Sequence, residues 1–279
     1  MIVAAIWPED SFTASWQLLW ASFVAAFPQH CGQSPSRGTV ANARMRLPLA
    51  VWDKIVAWLC QQAQDHSEAT AYWRSHRIVS ADGTCMTLPD TKELCETFGL
   101  SKGNNGLRRY PLVRLVCLSL VETMTVINYR LGCYTDDENA LLAPMLESLQ
   151  KGDLLVADRH YAGANLYWHY MENDLEYLTQ LHQRQKVSRL NKLWSYSEND
   201  FVARLKIGDI YRRKNPAMPK YIPARFIRVQ ALINQKYKTI WLVTSLLDAE
   251  RYPADEIAQL YLKRWRIETL FGQLKINCS

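Results

Sequence analysis

The chain of 279 residues is 48% hydrophobic and 22% charged, which is ordinary for a globular protein and allows one large core or two smaller ones. No apolar run reaches the roughly 18 residues that a membrane-spanning helix needs, which argues against an integral membrane protein. The seven cysteines are scattered and never spaced C-x-x-C, so neither a zinc site nor a disulfide framework is expected.

Positive charge is concentrated in one segment. Residues 184–238 hold fourteen Lys and Arg residues against three acidic ones, a net charge of +11, and because the whole chain carries +6 the remainder carries −5. A basic block in an otherwise acidic chain is typical of a protein that binds a polyanion. The alternative is a solvated basic surface. Six aromatic residues among these charges favour a nucleic acid as the partner: Trp194, Tyr196, Phe201, Tyr211, Tyr221 and Phe226.

Hydrophobic periodicity and turn residues predict the elements in chain order. The first ten residues, MIVAAIWPED, carry an acidic pair where a secretory signal would be positive, so we expect an intracellular, cytoplasmic protein. Trp, Leu and Val recur at helical spacing over 12–27 and 46–64, which predicts two helices joined by a turn-rich basic segment. Later elements are a strand over 76–84 that runs into an Asp-Gly turn, two strands within 112–132, a helix over 136–152, a strand over 153–158, a helix over 164–173, strands over 175–181 and 238–246, and a last helix that begins near Pro253.

This order of elements predicts an α/β fold with three parts. Residues 1–75 form a helical N-terminal region, and residues 76–181 and 239–279 form the core. Residues 182–238 contain strand-like fragments without a helical period. They therefore predict a β-rich basic insertion that precedes the last helix.

The last helix contains the segment YLKRWRIETLFGQLK, residues 261–275, which has two stripes. At about 100° per residue, four polar side chains fall within roughly 60° of one another: Tyr261, Arg264, Glu268 and Lys275. A neighbouring apolar stripe would anchor the helix through Leu260, Ile267, Phe271 and Leu274. The alternative interpretation of the polar stripe is a solvated face on which Arg264 and Glu268 form an ion pair.

Three carboxylates stand at positions that suit metal-assisted chemistry. Asp82 ends a strand within SADGT, Asp158 ends an apolar strand within LLVADRHY, and Glu268 lies on the last helix. Sites in open α/β sheets lie beyond the carboxyl ends of the strands, and Mg²⁺ binds carboxylate and phosphate oxygens. Each aspartate also has a structural interpretation, Asp82 as part of a turn with Gly83 and Asp158 as an N-cap. Neighbouring His160 is interpreted as a packed or hydrogen-bonded histidine and not as a metal ligand.

Taken together, these motifs resemble one family. The last helix fits the pattern Y-x2-R-x3-E-x6-K, which marks the DDE transposases of bacterial insertion sequences, specifically the insertion-sequence-4 family. The family's other landmarks appear in order, as a strand ending in Asp-Gly-Thr at Asp82 and one ending in Asp-Arg-His-Tyr at Asp158. The similarity extends over residues 76–275, and no Walker A motif, Rossmann fingerprint or Ser/Cys–His nucleophile pair is present in the sequence.

The resemblance implies a ribonuclease-H-like core in which Asp82, Asp158 and Glu268 bind a pair of Mg²⁺ ions, for which Mn²⁺ can substitute. Such a site activates water and then the freed 3′-hydroxyl for attack on DNA phosphodiesters, without a covalent enzyme intermediate. The reaction would cut and join DNA at the ends of a mobile element.

The resemblance also implies a set of DNA contacts. On the last helix, Tyr261, Arg264 and Lys275 would bind phosphates near the cleaved end. In the insertion, we expect duplex DNA to be bound by Arg212, Arg213 and Lys214. The implied partners are the terminal inverted repeats of the element and the target DNA, held by a homodimer.

Two other functions stay open. Members of the family generally have more chain after the signature helix, so a chain that ends at Ser279 is interpreted as a shortened copy. One alternative is therefore a catalytically inactive remnant that binds DNA or the full-length transposase. The other is a Mg²⁺ nuclease of the same fold that cleaves without joining strands, which would leave the polar stripe of the last helix without a purpose.

Overall fold

The computed structural model describes residues 12–30, 32–65, 71–100, 110–182, 184–233 and 236–278. The N-terminal residues from which the cytoplasmic location was expected lie outside these ranges. Among the described residues, no helix combines the length and the apolar character that crossing a membrane requires. The chain forms two compact units, one of residues up to Gln62 together with those from Glu268, the other of Ala63–Ile267.

The smaller unit is helical. It contains α1 (Phe12–Ala26), α2 (Arg37–Arg46), most of α3 (Leu49–Asp65) and most of α9 (Arg266–Cys278). α1 and α3 confirm the two predicted N-terminal helices, but α2 lies in the segment predicted as turns. Ser36 provides the start signal for α2, because its hydroxyl accepts a hydrogen bond from the Thr39 backbone N–H at 3.2 Å.

The larger unit is built on a sheet. Its described strands are β1 (Tyr72–Trp73), β2 (His76–Thr87), β3 (Leu112–Leu120), β4 (Thr125–Cys133), β5 (Leu154–Ala157), β6 (Glu176–Gln180), β7 (Asn191–Ser197), β8 (Asp200–Lys206), β9 (Tyr221–Ile233) and β10 (Lys236–Thr244). The described α-helices of this unit are α4 (Lys92–Phe98), α5 (Glu138–Leu142), α6 (Ala164–Glu172), α7 (Asp209–Lys214) and α8 (Ala254–Leu262). Short 3₁₀ turns occur at Ala143–Ser148, Arg159–Tyr161, Val187–Arg189 and Lys263–Trp265.

The strands lie in the order β4-β3-β2-β5-β6-β10-β9-β8-β7, with β1 beside β2. β2, β3 and β4 form an antiparallel meander, and β5 and β6 then add in parallel to β2 and to each other. The chain is therefore a mixed α/β protein with one large sheet. The strands predicted within 112–132, 153–158, 175–181 and 238–246 are confirmed.

Two predicted elements of the larger unit end at other residues than expected. The predicted Asp-Gly turn after residue 81 is wrong, because β2 continues through Asp82 and Gly83 while it pairs with β3 as far as Thr87. The helix predicted over 136–152 ends at Leu142 and continues as a 3₁₀ turn that contains Pro144. Proline lacks the N–H that the next α-helical hydrogen bond would need, which explains the early end.

The segment predicted as an insertion contributes β7, β8 and β9, and these strands extend the same sheet through β10. It also contains α7, although no helix was predicted there. Phe201 and Phe226 are fully buried and stack at 5.5 Å between ring centres, so these two aromatic residues belong to the core and cannot stack on nucleic-acid bases. Trp194, Tyr196, Tyr211 and Tyr221 are exposed.

Apolar clusters cover both faces of the sheet, as the alternation of side chains along a strand requires. One cluster contains Ala81 and Ala157 and packs on α5 and α6, so we call this side of the sheet the α5 face. The other contains Leu154 and Val156 and packs on α8 through residues that include Tyr261, so we call this side the α8 face.

Candidate active site

Asp82 and Asp158 lie side by side in the middle of the sheet. β2 and β5 pair in parallel up to Ala81 and Ala157, so each aspartate directly follows the last paired residue. Neighbouring strands lie about 4.8 Å apart, and matching positions of parallel strands point to the same side. Because the two alanines belong to the α5 face, both aspartates point to the α8 face. The structure thus brings two of the predicted carboxylates together.

The local geometry of Asp158 follows from the end of β5. Its side-chain Oδ1 accepts a hydrogen bond from the backbone N–H of His160 at 2.7 Å and so caps the 3₁₀ turn Arg159–Tyr161. The N-cap interpretation is therefore confirmed as a structural role, and it uses one carboxylate oxygen. His160 itself is exposed, its ring lies edge-on to that of Tyr161 at 5.5 Å between ring centres, and its Nε2 is 3.7 Å from Oδ1 of Asp137.

Asp82 is held within an extended strand. Its Oδ1 accepts the backbone N–H of Gly83 at 2.9 Å, and its Oδ2 lies 3.4 Å from Nη1 of Arg264. The side chain of Asp82 is 16% exposed and that of Arg264 is 9% exposed. In this half-buried setting, Arg264 neutralises much of the charge of Asp82, and the planar guanidinium fixes the direction of one oxygen.

Tyr261 lies on the α8 face near the two aspartates. The centre of its ring is 5.9 Å from the guanidinium carbon of Arg264. Burial raises the pKa of Tyr261 to about 12, an effect that Arg264 reduces and that Asp158 and Asp82 increase. The hydroxyl of Tyr261 therefore stays protonated at neutral pH and lies within electrostatic range of both carboxylates.

The last helix is not the continuous α-helix that the sequence predicts. α8 ends at Leu262, a 3₁₀ turn spans Lys263–Trp265, and α9 begins at Arg266. A 3₁₀ turn advances by about 120° per residue instead of 100°, so the spacing from which the polar stripe was predicted does not hold across these three residues. That the four polar residues share one face stays a prediction. Glu122 bridges this turn, because it pairs with Lys263 at 2.5 Å and with Arg266 at 2.8 Å.

The polar residues of the last helix fall into two groups. Tyr261 and Arg264 are buried in the larger unit beside Asp82. Glu268 and Lys275 are exposed residues of α9 in the smaller unit. The convergence of Glu268 with the two aspartates therefore stays a prediction.

The predicted DNA-binding residues of α7 differ in exposure. Arg213 and Lys214 are exposed, whereas Arg212 is half-buried with Nη1 3.3 Å from Asp209. Lys206, at 3.5 Å, and then Arg212 hold the pKa of the exposed Asp209 below its usual range. Part of the basic charge counted in the sequence is thus neutralised inside the segment.

A cleft of about 300 Å³ lies between the start of α6 and the segment that contains Arg184 and Lys206. Three residues of its walls can carry positive charge: His182, Arg184 and Lys206. Asn165, Gln185 and Tyr211 add polar side chains, and the turn that follows Tyr161 adds backbone groups. The cleft is therefore a polar, basic concavity a few residues beyond Asp158 along the chain.

Sequence reasoning missed a polar group on the opposite face of the sheet. Arg114 forms an ion pair with Glu138, and the hydroxyl of Tyr161 donates a hydrogen bond to Oε2 of Glu138 at 2.9 Å. Burial and Glu138 raise the pKa of Tyr161 far above its usual range, so the hydroxyl remains a donor. The acidic run at the start of the predicted 136–152 helix was the available signal, but it was interpreted only as a favourable helix N-terminus.

Comparison with known proteins identifies relatives of the chain. Residues 73–279 match the family model described as Transposase DDE domain. The chain is 25% identical over 241 residues to the transposase InsG for insertion sequence element IS4 of Escherichia coli (strain K12), across 85% of this chain and 52% of that protein. It is 27% identical over 138 residues to the putative transposase InsZ of the same strain, across 47% of this chain and 44% of that protein. The chain thus spans about half the length of these curated relatives.

Among solved structures, the chain is similar to a piggyBac transposase in a synaptic complex with hairpin DNA determined by cryo-electron microscopy. That match has a TM-score of 0.37 and 10% identity, and it covers 72% of this chain and 45% of the other. The match to the family model covers most of the chain and includes Asp82, Asp158 and the signature helix. The chain therefore belongs to the DDE transposase family that its motifs resemble.

Proposed function

We propose that this chain cleaves and joins DNA strands at the ends of a mobile element in a metal-dependent reaction. The observation that carries the proposal is the pair Asp82 and Asp158 on adjacent parallel strands, with Arg264 in contact with Asp82. The third carboxylate of the proposed site is Glu268, which occupies the glutamate position of the family signature. The two curated relatives, both described as transposases, support the same activity.

The donor atoms of the site fit Mg²⁺ or Mn²⁺. The aspartates offer only hard oxygen ligands, and Mg²⁺ is usually bound by one or two carboxylates together with waters and substrate phosphates. Among the described residues, no three His, Cys, Asp or Glu side chains are grouped as a metal-binding cluster. In this proposal, Glu268, at the glutamate position of the family signature, and the phosphates of DNA complete the ligand set of the two aspartates. When bound, the metal supplies activation of the attacking oxygen and charge stabilisation at the phosphate.

The protein's own residues have distinct proposed roles. Arg264 orients Asp82 and supplies positive charge where negative charge develops on the phosphate. The protonated hydroxyl of Tyr261 is a hydrogen-bond donor in the same place. Lys275 is an exposed cation that would bind the phosphate next to the cleaved end.

We propose a ribonuclease-H-like core for the fold. An antiparallel meander of three strands followed by two parallel strands, with the aspartates on the first and fourth of these strands, supports this assignment. The proposed division is a helical region at 1–75, a core at 76–181 and 239–279, and a basic β-rich insertion at 182–238. The insertion would follow the DNA duplex through Arg213 and Lys214, with a smaller contribution from Arg212.

The proposed partners are the terminal inverted repeats of the element and the target DNA, bound by two copies of the chain. The basic cleft that contains Arg184 and Lys206 supports a path for the DNA backbone between the insertion and the aspartates. Phosphates are the groups that such a cleft would bind, because its side chains are donors and cations.

The test is a cleavage assay with the purified chain, Mg²⁺ and a linear DNA that carries the ends of the element. Asp82→Asn, Asp158→Asn and Glu268→Gln should each lower the cleavage rate by more than about a hundredfold, because each removes a metal ligand. Asp255→Asn, an exposed aspartate on α8, is the matched control and should cleave like the unchanged chain.

The products distinguish the proposed activity from the alternatives. Cleavage followed by joining of the 3′ end to a second DNA supports transposition. Cleavage without joining indicates a nuclease. Binding of the element ends without any cleavage indicates an inactive relative and contradicts the proposed function.

A further inference from the structure

A polar group lies on the α5 face, directly behind the proposed active site. It consists of Arg114, Glu138 and Tyr161, and we call it the Glu138 group. Arg114 forms an ion pair with Glu138, and the side chains of the two residues are 20% and 15% exposed. The hydroxyl of fully buried Tyr161 donates to Glu138 at 2.9 Å. The carboxylate of Glu138 is therefore fixed from two directions.

The Glu138 group contacts the backbone next to Asp82. A Cβ atom added at Gly83 would lie 2.5 Å from both Cδ and Oε2 of Glu138, so the carboxylate rests on the space that a side chain would fill. Gly83 is also the residue whose N–H binds Oδ1 of Asp82. The position of Glu138 therefore limits how the peptide that orients Asp82 can move.

The same group contacts the turn that follows Asp158. Tyr161 ends the 3₁₀ turn that Asp158 caps, and its backbone N–H donates to the carbonyl of Asp158 at 3.2 Å. The neighbour of Glu138 on α5, Asn139, donates through Nδ2 to the carbonyl of His160 at 3.3 Å. Glu138 accepts from the Tyr161 hydroxyl and Asn139 donates to His160, so two consecutive residues of α5 are hydrogen-bonded to the turn.

The support for Glu138 extends to the rest of the α5 face. Arg114 donates from Nη2 and Nε to the backbone carbonyl of Tyr134, at 3.0 and 3.3 Å, so the guanidinium is held at both ends. α5 begins with its own cap, in which Asp137 accepts the N–H of Asn139 at 3.2 Å. Glu138 is therefore part of a fixed frame and not a mobile surface carboxylate.

We propose that Glu138 is a positioning residue that sets the separation and orientation of Asp82 and Asp158 from the opposite side of the sheet. It contacts the backbone beside Asp82 at Gly83, and through the side-chain hydroxyl of Tyr161 it contacts the turn that Asp158 caps. The inference rests on the proposed function, because the separation of the two carboxylates matters only if they share a metal ion. Removing a group that orients a metal ligand without binding the metal itself typically lowers metal affinity or activity by about 10–100-fold.

The test measures the metal directly. Binding of Mn²⁺ to the purified full chain is followed by electron paramagnetic resonance, and the binding that remains in Asp82→Asn is subtracted as background. Glu138→Gln keeps the shape but replaces one accepting oxygen with a donor that faces Arg114 or Tyr161, so Mn²⁺ affinity should fall about tenfold or more. The kcat of DNA cleavage should fall in this variant. The KM for DNA should stay unchanged, because Glu138 lies on the side of the sheet away from the aspartates.

Two further variants make the result specific. Glu147→Gln changes an exposed glutamate in the 3₁₀ turn after α5 and should bind Mn²⁺ like the unchanged chain. Tyr161→Phe removes only the hydroxyl that binds Glu138 and should weaken Mn²⁺ by a few fold, and it replaces Glu138→Gln if that variant does not fold.

The outcomes separate the inference from the proposed function. The inference alone is overturned if Glu138→Gln and Tyr161→Phe bind Mn²⁺ as tightly as Glu147→Gln does. That result would show a merely structural role for Glu138, even if the two variants have a lowered melting temperature. A wild-type chain that binds no Mn²⁺ above the Asp82→Asn background would contradict the proposed function and the inference together.

Discussion

At the scale of single residues, the two side chains beside the aspartates on the α8 face, Arg264 and Tyr261, differ in charge. Arg264 contributes a cation in contact with Asp82, and Tyr261 contributes a neutral hydroxyl because burial raises its pKa to about 12. The site therefore combines two anions with one cation and one neutral donor before any metal or DNA binds. This charge balance suits the binding of a cation and a phosphate together.

The raised pKa of Tyr261 predicts a loss of stability in alkali. An unfolded tyrosine has a pKa of about 10, so the folded protein binds this proton more tightly than the unfolded chain does. The contribution is fully present below pH 10 and is lost as the pH rises toward about 12, a change of about 2–3 kcal/mol from this residue. Tyr261→Phe should make unfolding in urea less dependent on pH in that range.

The control for this prediction is Tyr237→Phe, on a side chain that is 78% exposed. This variant should retain the alkaline loss of stability. An identical pH dependence of the urea midpoint for Tyr261→Phe and the unchanged chain would contradict the placement of Tyr261 in a buried site.

At the scale of elements, a buried ion pair between β8 and β9 is also hydrogen-bonded to the segment before α8. Arg225 of β9 donates to both carboxylate oxygens of Asp200 in β8, at 2.7 and 2.5 Å. Its Nη1 also donates to the carbonyl of Tyr252 at 2.7 Å, and the side chain is fully buried. Arg225 of β9 thus attaches β8 to the segment that leads into α8, the helix that contains Tyr261.

Arg225→Met should destabilise the protein by about 3–5 kcal/mol, because it leaves the carboxylate of Asp200 buried without its partner. Arg228→Met removes the same charge from an exposed position of the same strand and should change stability by less than about 1 kcal/mol. Urea denaturation followed by tryptophan fluorescence compares the two. Equal midpoints for both variants would show that the Arg225 pair contributes no more than a surface charge.

The elements also show how far the sequence could predict the structure. The continuous apolar run of β5 placed Asp158 at the end of a central strand correctly. Asp82-Gly83 has the composition of a turn, but pairing of β2 with β3 outweighs that local preference. The 3₁₀ turn at Lys263–Trp265 and the contact of Glu138 with Gly83 depend on residues far apart in the chain. No local pattern encodes such contacts.

At the scale of the whole molecule, charge and not aromatic content best describes the proposed DNA surface. Two of the six aromatic residues in the basic segment are core residues, Phe201 and Phe226. Arg225 is buried with Asp200, and Arg212 is paired with Asp209. The exposed cations of α7, Arg213 and Lys214, are therefore the strongest candidates for phosphate contacts.

Arg213→Gln combined with Lys214→Gln should weaken binding to any duplex DNA. The slope of log affinity against log salt should fall by about 1.8, because each phosphate contact contributes about 0.9. Arg212→Gln should have a smaller effect, since Asp209 already neutralises it. Fluorescence anisotropy over a salt series measures these slopes. Lys92→Gln combined with Lys151→Gln removes two exposed charges elsewhere and should leave the slope unchanged.

Metal-directed cleavage of the protein tests most directly whether Asp82 and Asp158 together bind metal at one site. Fe²⁺ replaces Mg²⁺ in the purified chain, and ascorbate with peroxide then generates hydroxyl radicals that cut the backbone next to the bound ion. The account predicts fragments that end near residues 82 and 158, and their loss in both Asp82→Asn and Asp158→Asn. Cuts that fall elsewhere in the chain, or that persist unchanged in both variants, would contradict it.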